Sequence, residues 1–207
     1  GGSGEPCLHS QMGELIVELQ DIFPDTPVAV LTNSCLMHDP KVRQELSLAD
    51  VVLPSMDSLV EREYRHLNRP HKRVELAAMA QGLLAFRAQF SGLIYLEILL
   101  AEGINNTREN LELLQDYCVK LSPDRVDVVT LTRPGAYPML ATAVSQEELD
   151  VWRKRLGGVV SAHPDPREDQ KRDGQRGDHR AASSVGSGPS LDEVYQSLRR
   201  RPQTVEQ

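Results

Sequence analysis

The opening residues 1–6, Gly-Gly-Ser-Gly-Glu-Pro, combine a glycine-rich segment with a carboxylate and a proline. Small residues tolerate unusual backbone dihedral angles and let a ligand approach the main chain closely. Gly4, Glu5 and Pro6 therefore predict a ligand-binding loop. Such a loop needs a strand before it and a helix after it. The helical pattern follows at Leu15 but no strand pattern precedes the loop, so we expect the chain to be part of a longer protein. An engineered Gly-Ser linker is the alternative.

Polar residues also interrupt or follow the apolar runs that predict strands. In parallel α/β sheets the carboxyl ends of the strands meet at one edge, where ligands bind. Each polar residue alone has an ordinary alternative, as part of a turn, as a helix cap or as a buried group with its hydrogen bonds satisfied. Together they predict a lined pocket at that edge, formed by Asn33, Ser55, Asp57, Glu97, Asn105 and Arg133.

The apolar pattern of residues 15–134 alternates between short β-branched runs and helical stripes, which predicts alternating strands and helices. The runs are typical of parallel strands buried on both faces, and the architecture is an open parallel sheet or a partial (β/α) barrel with outer helices. Asp39 is the predicted N-cap of the second helix, and Asn106 with Glu109 form a predicted capping pair for the last. The predicted strands are 28–33, 50–54, 93–100 and 126–132, and the predicted helices are 14–22, 40–48, 74–90 and 107–121.

The pattern weakens after the last predicted strand. Ser145 and Glu148 are spaced as a capping box, which predicts a short helix over residues 146–158. Residues 159–189 consist mainly of polar residues, glycine and proline, so we expect a disordered linker. Residues 190–207 begin an amphipathic helix, which predicts the start of a small C-terminal helical domain. The predicted division is therefore 1–145, 146–158, 159–189 and 190–207.

Composition narrows the class of protein. The net charge of −7 comes entirely from residues 1–145, so a basic surface for nucleic acid is not expected there. No run is long and apolar enough to span a membrane and no signal peptide is apparent, which favours a cytoplasmic protein without a membrane partner. The three cysteines, Cys7, Cys35 and Cys118, are an odd set with wide spacing and fit reduced thiols. The histidine spacings do not predict a metal site.

The segment Gly2-Ser-Gly-Glu-Pro-Cys-Leu-His9 resembles the glycine-glutamate-proline motif of radical S-adenosylmethionine enzymes. Later motifs, up to Thr132-Arg-Pro134, are similar in order and spacing to one branch of that superfamily. The resemblance covers roughly residues 1–145 and implies strands three to six of a partial barrel. It also implies a winged-helix-like extension beginning near Leu198. S-adenosylmethionine and a 4Fe-4S cluster are the implied cofactors, and an electron donor and an unknown substrate are the implied partners of the parent protein.

The resemblance also implies roles for the predicted site residues. The loop of Gly4, Glu5 and Pro6 would bind the methionine amino group of the cofactor. The residues that end the next strands would contact its carboxylate and ribose, which points to Asn33, Ser55 and Asp57. The remaining three would line the cofactor or substrate pocket, namely Glu97, Asn105 and Arg133.

One departure from the family bears on activity. The family holds its cluster with three cysteines in a C-x-x-x-C-x-x-C loop, which this chain lacks, and Cys7 stands where the motif usually has a threonine. We therefore expect the chain alone to be inactive, and three functions stay open. It belongs to a radical enzyme whose cluster segment lies elsewhere, it is a binding or regulatory module without catalysis, or it is an unrelated barrel enzyme such as a hydrolase or aldolase.

Overall fold

A computed structural model describes residues 4–131 and 141–157, which form one α/β unit. Its sheet has four parallel strands in the order β1-β2-β3-β4. This confirms the predicted parallel sheet with surrounding helices, and the ends of the strands differ from prediction by at most two residues. The strands are β1 (Ala29–Thr32), β2 (Val51–Pro54), β3 (Leu93–Leu100) and β4 (Arg125–Thr130).

Within residues 4–131 and 141–157, six α-helices and one short 3-10 helix surround the sheet. The helix at 61–68 was not predicted because its sequence is rich in charge and has no apolar stripe. A 3-10 helix over Pro6–Leu8 follows Glu5 directly and was also not predicted. The α-helices are α1 (Met12–Ile22), α2 (Pro40–Leu46), α3 (Glu61–Asn68), α4 (Leu76–Gln89), α5 (Arg108–Leu121) and α6 (Gln146–Gly157).

Two of the predicted helix starts are confirmed and one is wrong. The Asp39 carboxylate accepts a hydrogen bond from the Lys41 amide at 2.8 Å, so Asp39 caps α2 as predicted. The Ser145 hydroxyl likewise accepts from the Glu148 amide at 3.2 Å at the start of α6. The cap of α5 is Thr107, not the predicted Asn106–Glu109 pair, because Asn106 Oδ1 already accepts from the Gly103 amide in the preceding turn.

The two faces of the sheet differ in burial. Alternate residues of β3 are fully buried against the helices, and the residues between them are only half-buried. The expectation of burial on both faces is therefore correct for β2, all of whose residues are buried, and wrong for β3. The half-buried face, which we call the second face, carries a small apolar cluster of Val51, Leu53, Ala29, Leu93 and Tyr95.

Helix α4 packs closely against the loop that follows β1. Its predicted apolar face is confirmed as buried, and Gly82 lies on the main chain of Met37, where an added Cβ would stand 2.2 Å from the carbonyl oxygen. Only glycine permits this approach. The buried residues of that face are Leu76, Met79, Leu83, Phe86 and, at the helix end, Phe90.

Several predictions concern residues outside the described part of the chain. Arg133, the linker 159–189 and the C-terminal helix and winged-helix-like extension of 190–207 all lie there. Among the helices of residues 4–131 and 141–157, none has the length and hydropathy needed to cross a membrane.

Candidate functional site

The Glu5 loop is fastened to the carboxyl end of β1 by the Glu5 side chain. Carboxylate oxygen Oε1 accepts hydrogen bonds from the Thr32 hydroxyl at 2.6 Å and from the Cys7 amide at 3.2 Å. The other oxygen, Oε2, accepts from the Asn33 amide at 2.7 Å. Pro6 then starts the 3-10 helix, where its fixed φ is suitable. The predicted loop of Gly4, Glu5 and Pro6 therefore lies at the carboxyl end of β1, next to Asn33.

Three predicted site residues lie level with one another at this edge. Thr32 is the register partner of Pro54, so the next residues, Asn33 and Ser55, stand side by side. Ser55 in turn forms a parallel bridge with Glu97. We call Asn33, Ser55 and Glu97 the polar row. The structure thus brings three of the predicted residues and the Glu5 loop to the same edge.

The row continues into β4 with a residue that the sequence analysis missed. Asp127 is the register partner of Glu97, and its carboxylate accepts a hydrogen bond from Nε of Arg125 at 3.0 Å. The Arg125 guanidinium carbon lies 3.8 Å from the centre of the Tyr95 ring, a cation–π contact. The signal was the two-residue spacing of Arg125 and Asp127 within an apolar strand, since residues at this spacing share a face.

Asp57 is buried and its carboxylate is engaged by the protein. Oδ1 accepts from the Leu99 amide at 2.8 Å, and Oδ2 accepts from Nδ2 of Asn68 at 2.5 Å. Burial raises the pKa of Asp57, and the hydrogen bonds from Leu99 and Asn68 partly oppose this rise. In this structure Asp57 therefore joins β3 to the end of α3, beside the polar row.

Asn105 is also fully buried, and its amide binds main-chain groups. Its Oδ1 accepts from the Ala101 amide at 2.8 Å, while Nδ2 donates to the carbonyl oxygens of Asp57 at 2.8 Å and Leu99 at 2.7 Å. Nδ2 of Asn110 donates to the same Asp57 carbonyl at 3.1 Å. The geometry gives Asn105 partners inside the protein and makes it a link between α5, β3 and the loop after β2.

The cysteines do not form a ligand set within the part of the chain that the structure describes. Cys7 and Cys118 are buried and Cys35 is half-buried, and burial raises the pKa of all three thiols. Residues 4–131 and 141–157 contain no group of three or more histidine, cysteine or acidic side chains that could hold a metal ion. A 4Fe-4S cluster, which needs cysteine thiolates, does not fit these residues.

Comparison with known proteins finds relatives in several microorganisms. No family model matches the chain. It is 35% identical over 153 residues to a protein named GTPase Obg from Brachyspira hyodysenteriae, which covers 74% of the chain and 22% of that protein. It is 27% identical over 205 residues to a UPF0026 protein of Helicobacter pylori, covering 99% of the chain and 62% of that protein. A UPF0026 protein of Methanocaldococcus jannaschii is 31% identical over 131 residues, which are 63% of the chain and 40% of that protein.

The chain therefore spans less than two thirds of the length of each of these relatives. Among solved structures, it is similar to a domain of pyruvate-formate lyase-activating enzyme from Bacteroides vulgatus, with a TM-score of 0.55 and 19% sequence identity. The match covers 75% of the chain and 90% of that domain. At this identity, the match establishes a shared fold.

Proposed function

We propose that this chain forms part of the S-adenosylmethionine-binding barrel of a radical S-adenosylmethionine protein. The observation that carries the proposal is the pair of hydrogen bonds from Thr32 and Asn33 to the Glu5 carboxylate. They hold the Gly-Glu-Pro loop at the edge of the sheet where the polar row lies. A glycine-containing loop beside polar strand ends is how parallel α/β proteins bind a cofactor. The fold that the chain shares with the domain of pyruvate-formate lyase-activating enzyme supports the proposed barrel.

In this proposal, the Glu5 loop and the polar row bind different groups of the cofactor. Because the Glu5 carboxylate already accepts hydrogen bonds from Thr32, Cys7 and Asn33, the loop would bind the methionine ammonium through main-chain carbonyl groups near Gly4. The side chains of Asn33 and Ser55 would receive the carboxylate and ribose. S-adenosylmethionine carries a sulfonium cation, and the carboxylates of Glu97 and Asp127 would favour that charge.

In the same proposal, Asp57 and Asn105 support the site without contacting the cofactor. Their polar atoms bind the main chain of β3 and of the loops around it. They would therefore keep Ser55 and Glu97 in position without touching the cofactor. Arg133 stays a proposed pocket residue on the resemblance alone.

Reductive cleavage belongs, in our proposal, to a longer protein that contains this chain. In the family, the 4Fe-4S cluster supplies one electron to the sulfonium. Since the described residues do not fit a cluster, we assign this chain binding and orientation only. The cluster cysteines, the electron donor and the substrate would be supplied by or bound to the longer protein. Residues 190–207 would begin its winged-helix-like extension.

Equilibrium dialysis with radiolabelled S-adenosylmethionine tests the binding half of the proposal. We expect weak binding by the 207-residue chain, and weaker binding still by Glu5→Ala. Glu14→Ala is the matched control, because Glu14 is an exposed carboxylate in the first turn of α1. Absence of binding by the chain, or equal binding by Glu5→Ala, would overturn the assignment of the loop.

Product analysis tests the catalytic half. After anaerobic reconstitution with iron and sulfide and reduction with dithionite, we expect no 5′-deoxyadenosine from the chain. A longer protein that includes this chain and a C-x-x-x-C-x-x-C loop should produce it. Failure of that longer protein would favour the alternative of a binding module without catalysis. Product from the chain alone would show that our conclusion about the cysteines is wrong.

A further inference from the structure

The hydroxyl of Thr32 is the centre of the hydrogen-bond network around Glu5. It donates to Glu5 Oε1 at 2.6 Å and accepts from the Ser34 amide at 3.1 Å and from the Cys7 thiol at 3.3 Å. A hydroxyl group has one proton and two lone pairs, so these three bonds use all of its capacity. Thr32 is also buried, with 4% of its surface exposed.

The direction of these bonds is fixed by the groups around the hydroxyl. An amide N–H can only donate, so Ser34 takes one lone pair of the Thr32 oxygen. The Cys7 thiol is buried, and burial together with the nearby Glu5 charge raises its pKa, so the thiol keeps its proton and donates as well. The Thr32 proton is therefore directed to the Glu5 carboxylate, which is a charge-assisted and hence strong acceptor.

The same hydroxyl also supports the turn after β1. Ser34 has φ of 66°, the left-handed region that a residue with a side chain rarely adopts. Such a conformation is strained and persists only where the surroundings hold it. The hydrogen bond from the Ser34 amide to Thr32 is one such restraint. One side chain thus restrains both the Glu5 loop and the turn that presents Asn33.

We propose that Thr32 is the positioning residue of the candidate site, whose hydroxyl sets the placement of the Glu5 loop against the Asn33 turn. It does so through Glu5 and Ser34 and need not touch a ligand. The identity of the ligand, S-adenosylmethionine, rests on the function proposed above, whereas the positioning role rests on the hydrogen bonds alone. Thr32 was not among the predicted site residues, although the sequence places it at the strand end directly before Asn33, where an ordinary turn was the alternative.

Two substitutions at position 32 separate the hydroxyl from the shape of the side chain. Thr32→Val keeps the branched shape and removes the hydroxyl, whereas Thr32→Ser keeps the hydroxyl. Thr130→Val is the matched control, because the Thr130 hydroxyl donates to the Leu100 carbonyl and accepts from the Val144 amide, in a network that does not include Glu5. All three variants are made in the 207-residue chain.

The first measurement is hydrogen–deuterium exchange at the amides of Cys7 and Asn33. Both amides donate to Glu5 and not to Thr32, so their exchange reports whether the carboxylate is still held in place. We expect about tenfold faster exchange in Thr32→Val, which corresponds to the loss of one hydrogen bond to a charged group. Thr32→Ser and Thr130→Val should leave both amides as in the unsubstituted chain.

The second measurement is the dissociation constant for S-adenosylmethionine. Thr32→Val should raise it about tenfold, Thr32→Ser should restore it and Thr130→Val should leave it unchanged. If the unsubstituted chain does not bind the cofactor, the proposed function fails, and amide exchange still decides the role of Thr32. Unchanged exchange in Thr32→Val, or an equal change in Thr130→Val, would overturn the positioning role. Should Thr32→Val fail to fold, Glu5→Ala removes both acceptor oxygens and must therefore expose the same two amides, and unchanged protection there would also overturn the positioning role.

Discussion

Glu97 stands beside Ser55, which is the first residue after β2, although Glu97 is only the fifth residue of the eight-residue strand β3. The strands are staggered, so a residue in the middle of one strand meets the end of its neighbour. The carboxylate of Glu97 therefore belongs to the polar row even though three more residues of β3 follow it. The edge of the site is formed by register between strands as well as by strand ends.

Asn68 stabilises the fold through its bond to the buried Asp57 carboxylate. We expect Asn68→Ala to lower the free energy of unfolding by about 1–3 kcal/mol, because Oδ2 of Asp57 loses its donor inside the protein. Urea unfolding followed by circular dichroism measures this. His66→Ala, an exposed substitution in the same helix, should change the free energy by less than about 0.5 kcal/mol. Equal effects of the two substitutions would contradict the prediction.

Asp57 should also make stability depend on pH. Its pKa in the folded state is raised above the ordinary value of 3.8, so the folded protein favours the protonated form. The stabilisation from this group is complete below the ordinary pKa and is lost as the pH rises through the folded pKa. Compared with Asp57→Asn, which cannot titrate there, the unsubstituted chain should therefore lose unfolding free energy as the pH rises from about 4. A constant difference across that range of pH would show that Asp57 does not titrate in this way.

The sequence predicted the sheet well because its strands are short apolar runs between clear turn and cap signals. It also predicted the Glu5 loop and the polar row from residue type and position. It did not predict α3, whose few apolar residues form no stripe, or the Arg125–Asp127 pair, which lies within a strand. Nor could the sequence show that Ser55 lies in the polar row whereas the Asp57 carboxylate is bound inside the protein. Only the three-dimensional contacts place Asp57 on Leu99 and Asn68.

Gly82→Ala should destabilise the protein despite the better helix propensity of alanine. An added Cβ would stand 2.2 Å from the Met37 carbonyl oxygen, so main chain must move, and we expect a loss of about 3 kcal/mol. Gly13→Ala in α1 is the matched control, since its Cβ would meet a flexible Glu45 side chain at 3.2 Å. That change should stay within about 1 kcal/mol, a range in which alanine can even stabilise. A melting temperature that rises in Gly82→Ala would refute the close packing.

Arg125 and Asp127, which lie two residues apart in β4 on the second face, should be energetically coupled. Their side chains are 29% and 14% exposed, so the ion pair at 3.0 Å is partly shielded from solvent. We expect a double-mutant cycle with Arg125→Met and Asp127→Asn to give a coupling energy of about 1 kcal/mol. The same cycle on Arg153 and Asp150, an exposed pair at 3.4 Å on α6, should give less than about 0.5 kcal/mol. A coupling energy near zero for the first pair would mean that the bond contributes no stability.

The thiols should differ in their reaction with iodoacetamide. Burial raises the pKa of Cys118 to about 12 and raises that of Cys7 as well, so both have little thiolate near neutral pH and little access to the reagent. Cys35 is only half-buried, and we expect it to be labelled first. Peptide mass spectrometry follows the order of labelling, with urea-unfolded protein as the control in which all three react. Early labelling of Cys7 in the folded chain would contradict the network around Thr32.

The carbonyl oxygen of Asp57 accepts from two buried asparagine side chains, Asn105 and Asn110, while the Asp57 carboxylate binds β3 and α3. The rim of the site on this side is therefore assembled before any ligand arrives. On the rim at β1, the Glu5 loop is joined to the strand only by the Glu5 carboxylate and the Cys7 thiol among its side chains in the described part of the chain. We expect induced fit to be confined to that rim, so that association rates respond to changes in the Glu5 loop, while changes around Asp57 alter the fraction of molecules competent to bind.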